Sequence, residues 1–158
     1  MRASAQTRHG VRLRPGTAGD ATLLFEWLNR PDSLVASLDT SAPVTWADHK
    51  GWVDTRLADS HTRIWIVERD ATPVGSIRLQ DKGVGPEIAI YIDAAARSTG
   101  VAGTALGLAL DEAHSVWPGR EAIARVRPDN DASRQLFERT GFTLRDRADD
   151  HLIYTHSL

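Results

Sequence analysis

The chain has 158 residues, a mass of 17.3 kDa and a formal net charge of -2 at pH 7, a size that suits one domain with a sizeable core. The near-neutral balance and the lack of a long apolar run give no pull towards nucleic acid or a membrane. Cysteine is absent and none of the 6 histidines has a histidine at i+4, so no disulfide, thiolate chemistry or metal is expected.

Residues 1–9 are polar and lack the apolar centre of a signal peptide. They are expected to fray, with the folded domain over 10–158 and a cytoplasmic setting. Residues 11–14 alternate apolar and polar, as a half-buried strand does. Pro15-Gly16 ends it. Thr17 with Asp20 reads as a capping box opening a helix to about Asn29, which Pro31 stops. Residues 32–44 have no period and read as a loop, with room for a helical turn, over a cleft. Thr45 with Asp48 is a second capping box, and the helix from it runs to about Asp59 with His49, Trp52, Val53 and Leu57 on its inner face.

Residues 63–68 and 74–79 form a hairpin across the turn at 70–73, and 87–92 returns after a second turn at 81–86. A helix is expected over 105–117, a strand over 122–126, a short helix over 131–140 and a closing hairpin over 142–147 and 151–156. The order β-α-α-β-β-β-α-β-α-β-β predicts an α/β (α+β) domain. Its mixed sheet joins an antiparallel meander to one parallel pair, 87–92 with 122–126, through a right-handed helical crossover. A ligand cleft opens where that pair splays.

The stretch Arg97-Ser98-Thr99-Gly100-Val101-Ala102-Gly103-Thr104 lies between strand and helix. Free N–H groups and partial positive charge at a helix start, with glycines that let backbone approach closely, suit a phosphate. It is not a P-loop, which needs Gly-Lys-Ser/Thr, nor a G-x-G-x-x-G dinucleotide turn, since the glycines stand at 100, 103 and 107. It does match Arg-x-x-Gly-x-Ala. A second segment, Asn130-x-x-Ser133-x-x-Leu136-Phe137-x-x-x-Gly141-Phe142, follows on the expected short helix.

Together the two motifs resemble the GNAT superfamily of N-acetyltransferases over about residues 10 to 156. The resemblance implies acetyl-CoA as donor, with N–H groups from Ser98 to Thr104 on its pyrophosphate. It implies that the pantetheine arm pairs with Ile90, Tyr91 and Ile92, while Asn130 and Ser133 touch the arm or order the turn beneath it. An N–H near Ile90 or Tyr91 would polarise the thioester carbonyl. Phe137 stands where the family usually has a tyrosine hydroxyl for the departing thiolate, so water or another hydroxyl, such as Tyr91 or Ser133, would supply that proton. Glu26-Trp27-Leu28-Asn29, the Trp46 to Trp52 segment and Pro73-Val74-Gly75-Ser76-Ile77-Arg78 resemble enzymes that acetylate UDP-linked amino sugars in pseudaminic acid biosynthesis. They equally resemble those acting on ribosomal proteins and N-terminal alanine. Trp27 and His49 would then face the acceptor.

The residues themselves add one proton acceptor. A primary amine must be neutral to attack, and Glu87 opens the central strand on the face it shares with Ala89 and Tyr91. Its alternative role is a solvated strand-end carboxylate; Asp81 and His49 are lesser candidates. A histidine on an apolar helix face is ordinarily a hydrogen-bonded core residue. The expected function is acetyl transfer to a small-molecule amine. Peptide N-terminal transfer and a non-catalytic acyl-CoA-binding module are the alternatives, and a homodimer stays open.

Overall fold

β-branched strands and alanine-rich helix faces sort this chain into a sheet with helices on both sides. The computed structural model describes residues 7–38 and 42–158. The strands are β1 (Thr7–Arg8), β2 (Val11–Pro15), β3 (Thr62–Arg69), β4 (Thr72–Asp81), β5 (Pro86–Ile92), β6 (Glu121–Val126), β7 (Thr143–Arg147) and β8 (Leu152–Ser157). They form one 8-stranded sheet in the order β1-β2-β3-β4-β5-β6-β8-β7. Every pair is antiparallel except β5 with β6, so the mixed sheet with one parallel pair stands as expected. The helices are α1 (Ala21–Leu28), α2 (Pro31–Ala36), α3 (Trp46–Ala58), α4 (Val101–Val116) and α5 (Asp131–Arg139).

Period-2 alternation divides the sheet's faces. Ile77, Leu79, Ile88 and Ile92 point to one side, where they pack with Ala105, Leu106, Ala109 and Phe137 from α4 and α5. Each large side chain buried there contributes about 1.5–3 kcal/mol. Ser76, Arg78, Glu87, Ala89 and Tyr91 point to the other side. There α3 lies against β3, and Trp27 of α1 stacks on Tyr91 with ring centroids 5.7 Å apart.

The predicted capping box at Thr17 forms in full, and the one at Thr45 forms its N-cap bond. Asp20 accepts from the Thr17 backbone N–H at 2.8 Å, and Thr45 Oγ1 accepts from the Asp48 N–H at 3.3 Å. Asp20 is also gripped by both terminal nitrogens of Arg14, each at 2.8 Å. Arg14 reaches Glu68 in turn, as does Arg12. This chain of ion pairs fixes β2, β3 and the entry to α1 together.

Three boundaries differ from expectation. Thr7 and Arg8 fold back on Arg12 and Val11 through a two-residue turn at His9-Gly10, both with positive φ. The part of the expected frayed stretch over residues 1–6 lies outside the described residues. Pro31 stops α1 but also opens α2 at its first position, where its missing N–H costs nothing. Residues 39–41 of the predicted loop lie outside the described residues. Finally, α4 starts at Val101, not Ala105, because Gly100 takes a left-handed φ of 84° as its N-cap.

Candidate active site

The cleft begins at a single contact. In the parallel pair only Glu87 and Ile123 are in register, and beyond them β5 runs on with its β6-facing edge open. Gly85 makes the closed end of this V possible. It has a φ of 140°, and a Cβ there would stand 2.4 Å from the Glu121 carbonyl oxygen. The two backbones therefore meet where only glycine fits, and part towards the carboxyl ends of the strands. In open α/β sheets that end is where ligands bind.

The loop after β5 lies at the mouth of the V. Ser98 and Gly100 have positive φ, with Thr99 between them not, and such alternation turns successive N–H groups into one concavity. Among the described residues, the N–H groups of Ser98, Thr99, Gly100, Val101, Ala102 and Gly103 donate to no protein acceptor, whereas Thr104 already bonds to the Gly100 carbonyl at 3.2 Å. Thr99 Oγ1 donates instead to the Ala96 carbonyl at 2.5 Å and pins the turn. A Cβ built at Gly100 or Gly103 meets nothing within 4 Å, so the space in front is open. This donor set fits a pyrophosphate.

Arg97 sits elsewhere than expected. Its Nε donates to the Ile92 carbonyl at 2.8 Å and its Nη2 to Asp32 at 2.5 Å, with the guanidinium 5.6 Å from the centre of the Tyr91 ring. It thus closes the last carbonyl of β5 and ties that strand to α2, instead of presenting its charge to the loop. At the other end of α2, Arg127 Nε donates to the Ser37 carbonyl at 3.1 Å. The helix therefore spans the mouth from β5 to the end of β6, and Arg30 with Asp93 at 3.6 Å adds a third tie.

Beneath this strap, the α1–α3 face of the sheet carries a groove. Ala89 is exposed although β5 is a central strand. Around it stand Glu87, whose Oε1 accepts from Arg125 Nε at 2.7 Å, and Arg78, opposite Ala89 in register. Arg78 lies 4.9 Å from the centre of the Trp52 ring. Tyr91 completes the rim. Its hydroxyl is buried without a hydrogen-bond partner among the described residues. Burial first, then the charges of Asp32 and Asp93, raise its pKa above the usual tyrosine value, so it remains a proton donor. Trp27, only 3% exposed, is the plate that holds it.

Other residues singled out from the sequence are structural here. His49 is buried. Its Nε2 donates to the Ala21 carbonyl at 3.1 Å, its ring lies among Phe25, Trp46 and Trp52, and burial lowers its pKa despite that bond. It locks α3 to α1. Asn130 caps α5 by accepting from the Ser133 N–H at 3.2 Å, so both order the turn. Phe137 packs edge-on against Phe142 at 5.0 Å in the core. Asp81 receives the Gly83 and Gly85 N–H groups and pairs with Arg120, which fixes the β4–β5 turn. Sequence reading missed Arg78, Arg125, Asp32 and Arg127. Arg125 was open to detection, since it alternates with the core residues Ala124 and Val126; Asp32 carries no local signal.

A family model described as Acetyltransferase (GNAT) domain matches residues 11–143. No curated protein matches the chain in sequence. Among solved structures, a domain from Methanocaldococcus jannaschii superposes with a TM-score of 0.82 at 24% identity, covering 94% of this chain and 98% of its own. The ribosomal L7/L12 alpha-N-protein acetyltransferase in complex with coenzyme A gives 0.82 at 13% identity, over 98% and 97%. The spermidine N-acetyltransferase from Vibrio cholerae, in complex with CoA and spermine, gives 0.81 at 16% identity, over 94% of each chain. At these identities the structures speak for the shared fold.

Proposed function

The chain belongs to the GNAT acetyltransferase family and uses acetyl-CoA, and from that premise we propose that its acceptor is the primary amine of a small molecule. The observation that carries this is the groove over Ala89, with Glu87 on its rim beside the open edge of β5. The α2 strap narrows the opening from Arg97 to Arg127, which suits a small acceptor better than a passing peptide chain.

Acetyl-CoA supplies an activated acyl group: the new N–C bond forms at its carbonyl carbon, the C–S bond breaks, and CoA leaves as its thiol. The chain's own residues do the rest. N–H groups from Ser98 to Gly103 hold the pyrophosphate, helped by the positive end of α4. The open edge of β5 at Ile90, Tyr91 and Ile92 aligns the pantetheine arm, and an N–H there polarises the carbonyl. Glu87 accepts the proton of the attacking amine, directly or through one water, and Arg125 fixes the carboxylate's direction. Tyr91 donates a proton to the sulfur and recovers one from solvent. In this scheme Phe137 has no proton to give and serves as packing for α5.

The test is release of CoA thiol with a panel of acceptors: small primary amines, including amino sugars and their nucleotide-linked forms, against peptides with free N-termini. Turnover with a small amine and none with the peptides is expected. Turnover confined to the peptides would overturn the acceptor class.

A further inference from the structure

We infer that Arg97 is a positioning residue for the leaving step: set against the Tyr91 ring, its guanidinium stabilises the phenolate that forms when Tyr91 gives its proton to the departing sulfur. This rests on the proton-donor part given to Tyr91 above. The loop that carries Arg97 suits a phosphate, yet the arginine side chain is engaged with β5 and α2 instead.

Two ties fix the guanidinium. Its Nε donates to the Ile92 carbonyl at 2.8 Å, and its Nη2 donates to Asp32 at 2.5 Å. The guanidinium carbon then lies 5.6 Å from the centre of the Tyr91 ring, within the range of cation–π attraction. Trp27 lies against the same ring at 5.7 Å and restricts it further. The Tyr91 hydroxyl is buried and meets no acceptor among the described residues. A buried O–H left without an acceptor is unfavourable, as befits a proton donor whose acceptor arrives with the substrate.

When the C–S bond breaks, its electron pair stays on sulfur and the Tyr91 proton joins it. Tyr91 is left as a phenolate until solvent returns a proton. A neutral phenol offers the guanidinium only the negative face of its ring, whereas a phenolate adds a full charge. The attraction is therefore stronger after proton transfer than before it, and only such a difference speeds a step. The charged groups around the ring form two pairs: Asp32 with Arg97, and Asp93 with Arg30 at 3.6 Å. Burial, then Asp32 and Asp93, keep the resting phenol protonated, while Arg30 and Arg97 pull the other way. Among the described residues, Arg97 is the cation that lies against the ring. On the sheet its flanking side chains are Ser76, opposite in register, and Ala89, neither of which titrates.

The experiment is a double-mutant cycle on Arg97→Gln and Tyr91→Phe, with an amine that the wild type turns over. Single-turnover release of CoA reads the chemical step, and calorimetry reads acetyl-CoA affinity. Arg97→Gln should slow release about 3- to 30-fold and leave acetyl-CoA affinity within about threefold. Arg97→Lys keeps the charge and should recover part of the rate. In the Tyr91→Phe background Arg97→Gln should cost nothing further, because no phenolate forms there; a packing role alone would cost as much in both. If Arg97→Gln does not fold, Arg97→Lys runs the same cycle with a smaller loss expected. Equal losses in the two backgrounds, or weakened acetyl-CoA binding at an unchanged rate, would overturn the inference and leave Tyr91 as the donor. A Tyr91→Phe protein as fast as the wild type would take Tyr91 out of the proton work and sink both.

Discussion

Glu87 and Tyr91 bracket Ala89 on one face of β5, and the proposed function gives them different parts of the proton work. Glu87 is held by Arg125 at 2.7 Å at the closed end of the V. Tyr91 lies under α2, its hydroxyl buried and its pKa raised by that burial. A carboxylate and a protonated phenol thus sit at the two ends of the groove, as the proposed proton acceptor and proton donor. Glu87→Gln keeps the shape and removes the base. It should lower the rate at neutral pH by about 10²–10⁴-fold. Because an amine already neutral needs no base, the deficit should shrink as pH rises towards the amine's own pKa. Steady-state rates across pH 6 to about 10 decide this, and a variant equal to the wild type at neutral pH would make Glu87 a structural partner of Arg125.

At the scale of elements, the β5–β6 junction is the feature on which the cleft depends. Gly85 lets the strands touch at one end, with a φ of 140° and no room for a Cβ beside the Glu121 carbonyl. Gly85→Ala meets both obstacles. Strained backbone alone costs about 1–3 kcal/mol, and the 2.4 Å approach adds to it. A fall in the urea midpoint corresponding to at least about 2 kcal/mol is expected; an unchanged midpoint would contradict the close approach. The α2 strap is held differently, by exposed ion pairs and one carbonyl contact, and exposed pairs contribute only about 0–1 kcal/mol each.

At the scale of the whole molecule, the meander and the parallel pair were legible, whereas the insertion of β8 between β6 and β7 and the acceptor side were not. Strand alternation at 11–14, the apolar run inside 63–68, the strand at 74–79 and two motifs on either side of β6 contain that much of the topology, because period and spacing are local properties. The α4 start was misplaced by four residues, since a left-handed Gly100 looks the same in sequence whether it lies inside a loop or caps a helix. The tie of Asp32 to Arg97 joins residues 65 apart, and that of Arg127 to Ser37 residues 90 apart. No periodicity encodes such contacts. His49 shows the limit from the other side: its helix face was readable, but the Ala21 carbonyl that satisfies it was not.

The measurement that tests the account most directly is calorimetric binding of acetyl-CoA to Gly103→Glu. Gly103 lies in the first turn of α4 with nothing within 4 Å of a built Cβ and without a positive φ. A carboxylate there agrees with the helix dipole and should leave the melting temperature unchanged or slightly higher. The same carboxylate stands beside the N–H groups proposed to hold the pyrophosphate. Like charges about 4 Å apart at an effective dielectric near 20 repel by ~4 kcal/mol before screening. The account predicts acetyl-CoA affinity weakened by roughly 10- to 1,000-fold in a protein of undiminished stability. Unchanged affinity in the folded variant would contradict it.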